Sequence, residues 1–245
     1  FLFFAIVIGG PLSYKYFTIA PTCFDGIQNQ GETSVDKGGP CLLLDESALA
    51  PHAVLWARAF RVRDGSYNAI AYIQNPNQGA GVLEVPYKFG LYNSNNVLIV
   101  EQTGTTYIMP GGITPVFAGG IDSGNLLVAH AYFTFTGDLK WQRVRDPATA
   151  VTINNIEVTT TDIGPRITAV AKNTSFSDIT DLSFAATVFD SAGNAINTSA
   201  TKVNRLAAGA SMDIVFTWPD PFTSAIGRID IVPMHTPVLD PVKTQ

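Results

Sequence analysis

The two cysteines of the chain, Cys23 and Cys41, bracket the stretch CFDGIQNQGETSVDKGGPC, in which Asp25, Asn29, Glu32 and Asp36 supply side-chain oxygens at close intervals. Thiols placed this way, just after an apolar run, read as an oxidised pair in an extracytoplasmic segment; two reduced thiols are the alternative. A zinc site needs about four nitrogen or sulfur ligands, and neither a CxxC pair nor a neighbouring histidine completes one. The oxygens point to a harder ion. Asp25 to Asp36 spans 12 positions, with Asn29 fifth and Asp36 last, and oxygen ligands at the first, fifth and twelfth positions match part of a calcium-loop pattern. Ile27 in third place and Gln30 in sixth depart from it, the latter where an EF-hand loop carries glycine. Calcium takes about six to eight oxygens, which these four side chains supply together with backbone carbonyls. An Asx-turn clasp without metal accounts for the same residues equally well.

Elsewhere, residues able to do chemistry do not assemble into a catalytic set. HExxH, GxSxG, Walker A and complete GxGxxG patterns are missing. His52, His130 and His235 are scattered, and His130 lies in the alternating run LLVAHAYFTF, where packing on a sheet is its ordinary role. Ile121-Asp122-Ser123-Gly124 has the look of a serine nucleophile loop but lacks the following glycine and placed partners, so it reads as a turn. Trp56, Trp141 and Trp218 are assigned to cores or interfaces rather than to a sugar platform. Asn173-Thr-Ser and Asn197-Thr-Ser fit the glycosylation acceptor pattern and are read as polar strand ends. The expectation is a non-enzyme with calcium as its one possible cofactor.

The elements that must carry these residues follow from texture. The chain has 245 residues, 46% apolar and only 14% charged, which suits many short strands joined by tight turns. A net charge of −5 leaves no footprint for a nucleic-acid backbone. Residues 1–8, FLFFAIVI, are apolar; as a helix they cover about 12 Å, well short of the ~30 Å of a bilayer. Tyr14, Tyr16 and Phe17 around Lys15 have the composition of an interfacial belt. Residues 1–17 are therefore expected to be a short helical anchor, ending inside a membrane or a hydrophobic assembly core, with a buried N-terminal strand or core helix as the alternative.

From Val54 the chain reads as strands, and in AIAYI both faces are apolar: Ala69, Ala71 and Ile73 on one, Ile70 and Tyr72 on the other. Turn signals recur at Asp64-Gly65, Asn75-Pro76-Asn77, Asn93–Asn96, Pro110–Gly112 and Asp190–Asn194. The halves repeat: Asn75 aligns with Asn173 and Pro110-Gly111 with Ala208-Gly209 at an offset of 98, and Tyr92 with Phe189 at 97. Each unit then has the strand pattern of an immunoglobulin-like sandwich. The expected organisation is all-β: an anchor (1–17), a Cys-bracketed linker module (18–46), two tandem immunoglobulin-like β-sandwiches (47–146 and 147–233) and an extended tail (234–245).

The second unit, with AVAKNTSFSDITDLSFAATVFDSAGNAINTSATKVNRLAAGAS, resembles the FxLYD-type extracellular domain of bacteria. It reads Ala186-Thr187-Val188-Phe189-Asp190 at the naming strand, whereas the first unit reads Phe89-Gly90-Leu91-Tyr92-Asn93. The Cys-bracketed stretch is similar to the C-x-DGIQN-x-x-E-x-x-x-D-C-GG-x-C module of bacterial surface proteins, with Lys37 where that module has a further cysteine. As a whole the chain resembles single-span envelope proteins of candidate-phylum bacteria. The resemblance implies a non-enzymatic structural or adhesive protein on the extracytoplasmic face of the cell envelope, with free sheet edges suited to homo-oligomers, filaments or lattices. A membrane-anchored module binding protein or carbohydrate, or an accessory subunit of an envelope complex, is the competing expectation.

Overall fold

The computed structural model describes residues 9–10 and 22–240. The expected anchor lies outside them apart from Gly9 and Gly10, whose backbone is helical. Among the described residues no helix is long and apolar enough to cross a membrane.

The chain is all-β and forms two tandem immunoglobulin-like sandwiches. The first contains β1 (Ala53–Arg63), β2 (Ser66–Asn75), β3 (Ala80–Tyr92), β4 (Leu98–Ile108), β5 (Gly112–Asp122), β6 (His130–Phe135) and β7 (Trp141–Arg145). One of its sheets has the order β1-β2-β5; in the other, β3 pairs with β4 on one side and with β6, then β7, on the other. The second contains β8 (Val151–Thr161), β9 (Gly164–Asn173), β10 (Ile179–Asp190), β11 (Ala195–Leu206), β12 (Ser211–Thr217) and β13 (Ile226–Met234), in sheets β12-β9-β8 and β11-β10-β13. In the tail, β14 (Val238–Leu239) returns to pair with β7 of the first sandwich. The prolines around it stop that pairing after two residues.

The internal repeat is a repeat of register. Ile73 opposes Thr114 and Ala171 opposes Met212, so adding 98 to both partners carries one pair onto the other. Phe89 opposes Gln102 and Ala186 opposes Ser199, a shift of 97 on both sides. The anchoring asparagines explain the match. Asn75 and Asn173 are fully buried, and each ends the second strand of its unit. The Asn75 amide donates to the carbonyls of Ala80 and Met109, both at 2.7 Å, while its oxygen accepts the Asn77 N–H. The Asn173 amide donates to Ser177, Leu206 and Ala207, while its oxygen accepts the Ser175 N–H. Each side chain thereby satisfies turn backbone that burial would otherwise leave unpaired. Asn173 is a strand end, as expected, but a buried one that serves as an internal post.

The two apolar faces of β2 have separate destinations. Ala69, Ala71 and Ile73 enter the first sandwich's own core with Phe89 and Leu91. Ile70 and Tyr72 join Trp56, Phe60, Ala185, Phe189 and Met234 in a cluster between the sandwiches. Sheet β1-β2-β5 thus stacks on sheet β11-β10-β13. Inside the seam the Tyr72 hydroxyl meets the Thr187 hydroxyl at 3.0 Å, Trp56 stacks on Tyr72 at 4.4 Å, and Arg58 donates to the Ala195 carbonyl. Arg228 lies over the Phe189 ring. A buried polar pair inside an apolar seam fixes which residues oppose each other.

Candidate functional site

Cys23 and Cys41 form a disulfide. Between them the chain has too few apolar residues for a core, so oxygens and backbone amides hold it together. The Thr22 N–H, the Asn29 amide and the Ile27 N–H donate to the Asp25 carboxylate and hold its carboxyl below the usual range. The Gly26 N–H reaches both oxygens of Asp36 across the loop. Gly38 and Gly39 adopt φ of +75° and +51°, and a Cβ on Gly39 would sit 2.8 Å from the Gly31 carbonyl, so the paired glycines are steric requirements.

Glu32 is the centre of this loop. Its side chain is 6% exposed, and one carboxylate oxygen accepts the N–H groups of Asn29 and Asp36, each at 3.2 Å. The other oxygen lies 3.1 Å from Cys41 Sγ. A disulfide sulfur has no proton to give, so this oxygen has no donor there. Asn29 Oδ1 is likewise buried without a partner. Among the described residues, the sulfur and carboxylate ligand atoms that converge are those of Cys23, Glu32 and Cys41. Asp25 and Asp36 are turned to backbone amides instead, so the structure brings the four expected oxygen residues into one mesh without aiming their carboxylates at one centre.

The module is docked rather than hinged. Leu44 N–H donates to the Trp141 carbonyl, Arg143 N–H to the Leu42 carbonyl, and the Arg143 guanidinium to the Gly39 carbonyl at 2.8 Å. Leu44 and Leu49 pack on the cluster around Trp141 and Ile108. β7 therefore clamps the module on one flank while β14 pairs with it. This docking was not legible from the cysteine motif, because it is made by Leu42–Leu44, three apolar residues with no spacing signal.

The remaining chemical residues stay apart. His52 packs on Phe135 and Trp141, His130 is exposed on β6, and His235 is half-buried beyond β13. Ser123 is buried in a turn and donates to the Leu126 carbonyl. Trp141 and Trp218 are buried and Trp56 lies in the seam, as core and interface aromatics. Sequence reading missed a groove of about 430 Å³ along the β1–β6 side of the first sandwich, lined by Arg58, Phe60, His130, Tyr132 and Ala195. Its residues come from three strands distant in sequence, with no motif to join them.

No family model matches this chain, and no curated protein matches it. Among solved structures it is similar to a transglutaminase of red sea bream, with 11% identity and a TM-score of 0.21. That likeness covers 76% of this chain and 32% of the transglutaminase, so the chain spans about a third of that protein. A TM-score this low carries no argument about activity.

Proposed function

We propose that this chain is a non-enzymatic structural or adhesive protein of the bacterial cell surface, exposed on the extracytoplasmic face and anchored in a membrane or assembly core through residues 1–17. The observation that carries the reading is the Cys23–Cys41 disulfide, which closes a core-poor module clamped to the first sandwich. Such a bridge persists in oxidising compartments and is rare in reducing ones. The packed sandwiches support a load-bearing or presenting role, and their free edges support self-association into a filament or lattice. Electron microscopy of the purified full chain tests this. Filaments or arrays are expected; dispersed monomers at every salt and calcium concentration overturn the assembly reading.

The same reading assigns the module calcium as its cation. The support is the donorless Glu32 oxygen and the buried, unpartnered Asn29 Oδ1. Binding requires Asp25 and Asp36 to turn from backbone amides towards them. Calcium is expected to raise the melting temperature and chelator to lower it; an unchanged melt leaves the hydrogen-bonded clasp alone. The groove along β1 and β6 supports a second reading, a ligand-binding module, in which Tyr132 and Phe60 offer aromatic surface and Arg58 charge. Calorimetry against peptidoglycan fragments and neutral oligosaccharides, with Tyr132→Ala as control, tests it.

A further inference from the structure

Within this chain one rule of packing has been used once: sheet β1-β2-β5 of one unit lies against sheet β11-β10-β13 of the next. The faces that would continue the stack are polar. Where the first unit presents Ile70 and Tyr72, the second presents Thr168 and Val170 flanked by the exposed Arg166 and Lys172. Where the second presents Ala185 and Phe189, the first presents the Lys88–Glu101 ion pair and Tyr92. Copies of the chain do not extend by stacking faces, which leaves edges.

The edges are guarded unequally. β1 carries Arg58, Arg61 and Arg63, β5 carries Pro115, β13 carries Pro233, β11 carries the ion-paired Lys202 and Arg205, and β4 carries the ion-paired Glu101. Charges and prolines of this kind keep sheet edges from pairing. β8, the counterpart of β1, reads VTINNIEVTTT, with one carboxylate and neither lysine, arginine nor proline; β6 and β12 also lack these guards but lie against β1 and β11 of the facing sheets, and the β8 bulge at Asn155 leaves residues 157–161 in regular register. β8 pairs with β9 alone among the described strands. The first sandwich closes along β1 and β6, and no comparable approach joins β8 to β13. The second sandwich is therefore open at this edge. Val158 opposes the core residue Ile167 and so faces inward, as does Ile156 two residues earlier. They nonetheless remain 46% and 42% exposed.

We infer that β8 is the homotypic interface: two copies pair their β8 strands antiparallel about a two-fold axis at Val158. The inference rests on the self-association proposed above and names its surface. With Val158 opposite its twin, Glu157 faces Thr159 and Ile156 faces Thr160 of the second copy; the two Glu157 carboxylates lie diagonally rather than directly opposite, and the open apolar edges cover each other. The sheet becomes continuous, β12-β9-β8 running into its symmetry mate. A second copy fits better than an unrelated strand because this edge matches itself in length and sets its single carboxylate, Glu157, opposite a threonine.

Sedimentation velocity on the full chain, with Val158→Lys, Val158→Glu and their equimolar mixture, tests the interface. Wild type is expected to associate. Each single variant, folded by circular dichroism, weakens association at least about 100-fold through like charges at the axis, and the mixture restores it. Val158→Cys, the single free thiol in a chain whose two cysteines are bridged, is expected to form a disulfide-linked dimer under mild oxidation, since directly opposed residues lie about 4.5–5.5 Å apart. Monomeric wild type at all concentrations overturns both the interface and the self-association it rests on. Association that survives in each single variant overturns the β8 interface and leaves self-association standing.

Discussion

Replacing Asn173 by alanine removes a side chain whose hydrogen bonds tie the β9–β10 loop to the β11–β12 turn. The amide has two protons to share among the carbonyls of Ser177, Leu206 and Ala207, and its oxygen accepts the Ser175 N–H at 2.9 Å. The residue is fully buried, so water does not replace these bonds. Counting two donated bonds and one accepted, at about 1–1.3 kcal/mol each, gives a loss of about 3–4 kcal/mol. Asn75→Ala, with donors to Ala80 and Met109 and an acceptor for Asn77, is expected to cost the same within about 1 kcal/mol. For a body of this size that loss lowers the melting temperature by about 6–16 °C. Urea unfolding followed by tryptophan fluorescence reads it as a lower midpoint at unchanged slope. Asn→Asp at either position should be no better than alanine, because a carboxylate cannot donate to the carbonyls. Either alanine variant staying within about 0.5 kcal/mol of wild type would show that the turns hold themselves and that the repeat is not pinned at these posts.

Replacing Cys23 and Cys41 together by serine opens a loop with a sequence separation of 18. The loop-entropy model puts the loss near 3 kcal/mol, read by proteolysis confined to residues 22–41 while the sandwiches stay folded. Burial, first of all, pushes the Tyr72 hydroxyl up to about 12 from the ordinary 10.0 and raises Tyr107 as well. A raised folded-state value means stability is intact below pH 10 and is lost as pH climbs towards 12; absorbance at 295 nm should show these two phenols ionising only with unfolding, and Tyr72→Phe should delay alkaline unfolding. At the acid end, backbone N–H groups hold the Asp178 and Asp190 carboxyls below the usual range, led by Ala208 and Asn194 respectively. Their contribution is present above about pH 4 and lost as pH falls through the lowered values, so Asp190→Asn should flatten the acid limb of a melting-temperature profile.

The strand texture was legible because each β period carries its own information. In AIAYI the odd and even residues were both apolar, and the structure sends Ala69, Ala71 and Ile73 to one core and Ile70 and Tyr72 to another. The pattern stated that two faces are covered but not by what, since the covering residues, Ala185 and Phe189, lie more than a hundred positions away. The aligned asparagines were visible as an offset, and their burial was not, because an Asn-Thr-Ser string looks the same on a surface and in a turn core. The cysteine pairing was legible from there being two. The docking of the module on β7 was not, because backbone amides and carbonyls make it and every residue has those.

The two units present unequal outer surfaces, and this decides which of their faces meet. Ile70 with Tyr72 on one unit and Ala185 with Phe189 on the other meet in the seam, while the residues at the same offsets in the opposite unit are Thr168, Val170, Lys88 and Tyr92. The same difference runs through the edges: β1 carries three arginines, and β8 carries threonines and a single glutamate. On the proposed β8 interface, polar end faces disfavour stacking of copies, and the unguarded edge that no facing strand covers sets one register of contact. A variant that gives the second unit the face of the first, Thr168→Ile with Val170→Tyr, is expected to associate by face stacking, in place of the edge pairing proposed at β8. The β8 charge pair at Val158 would then no longer control it.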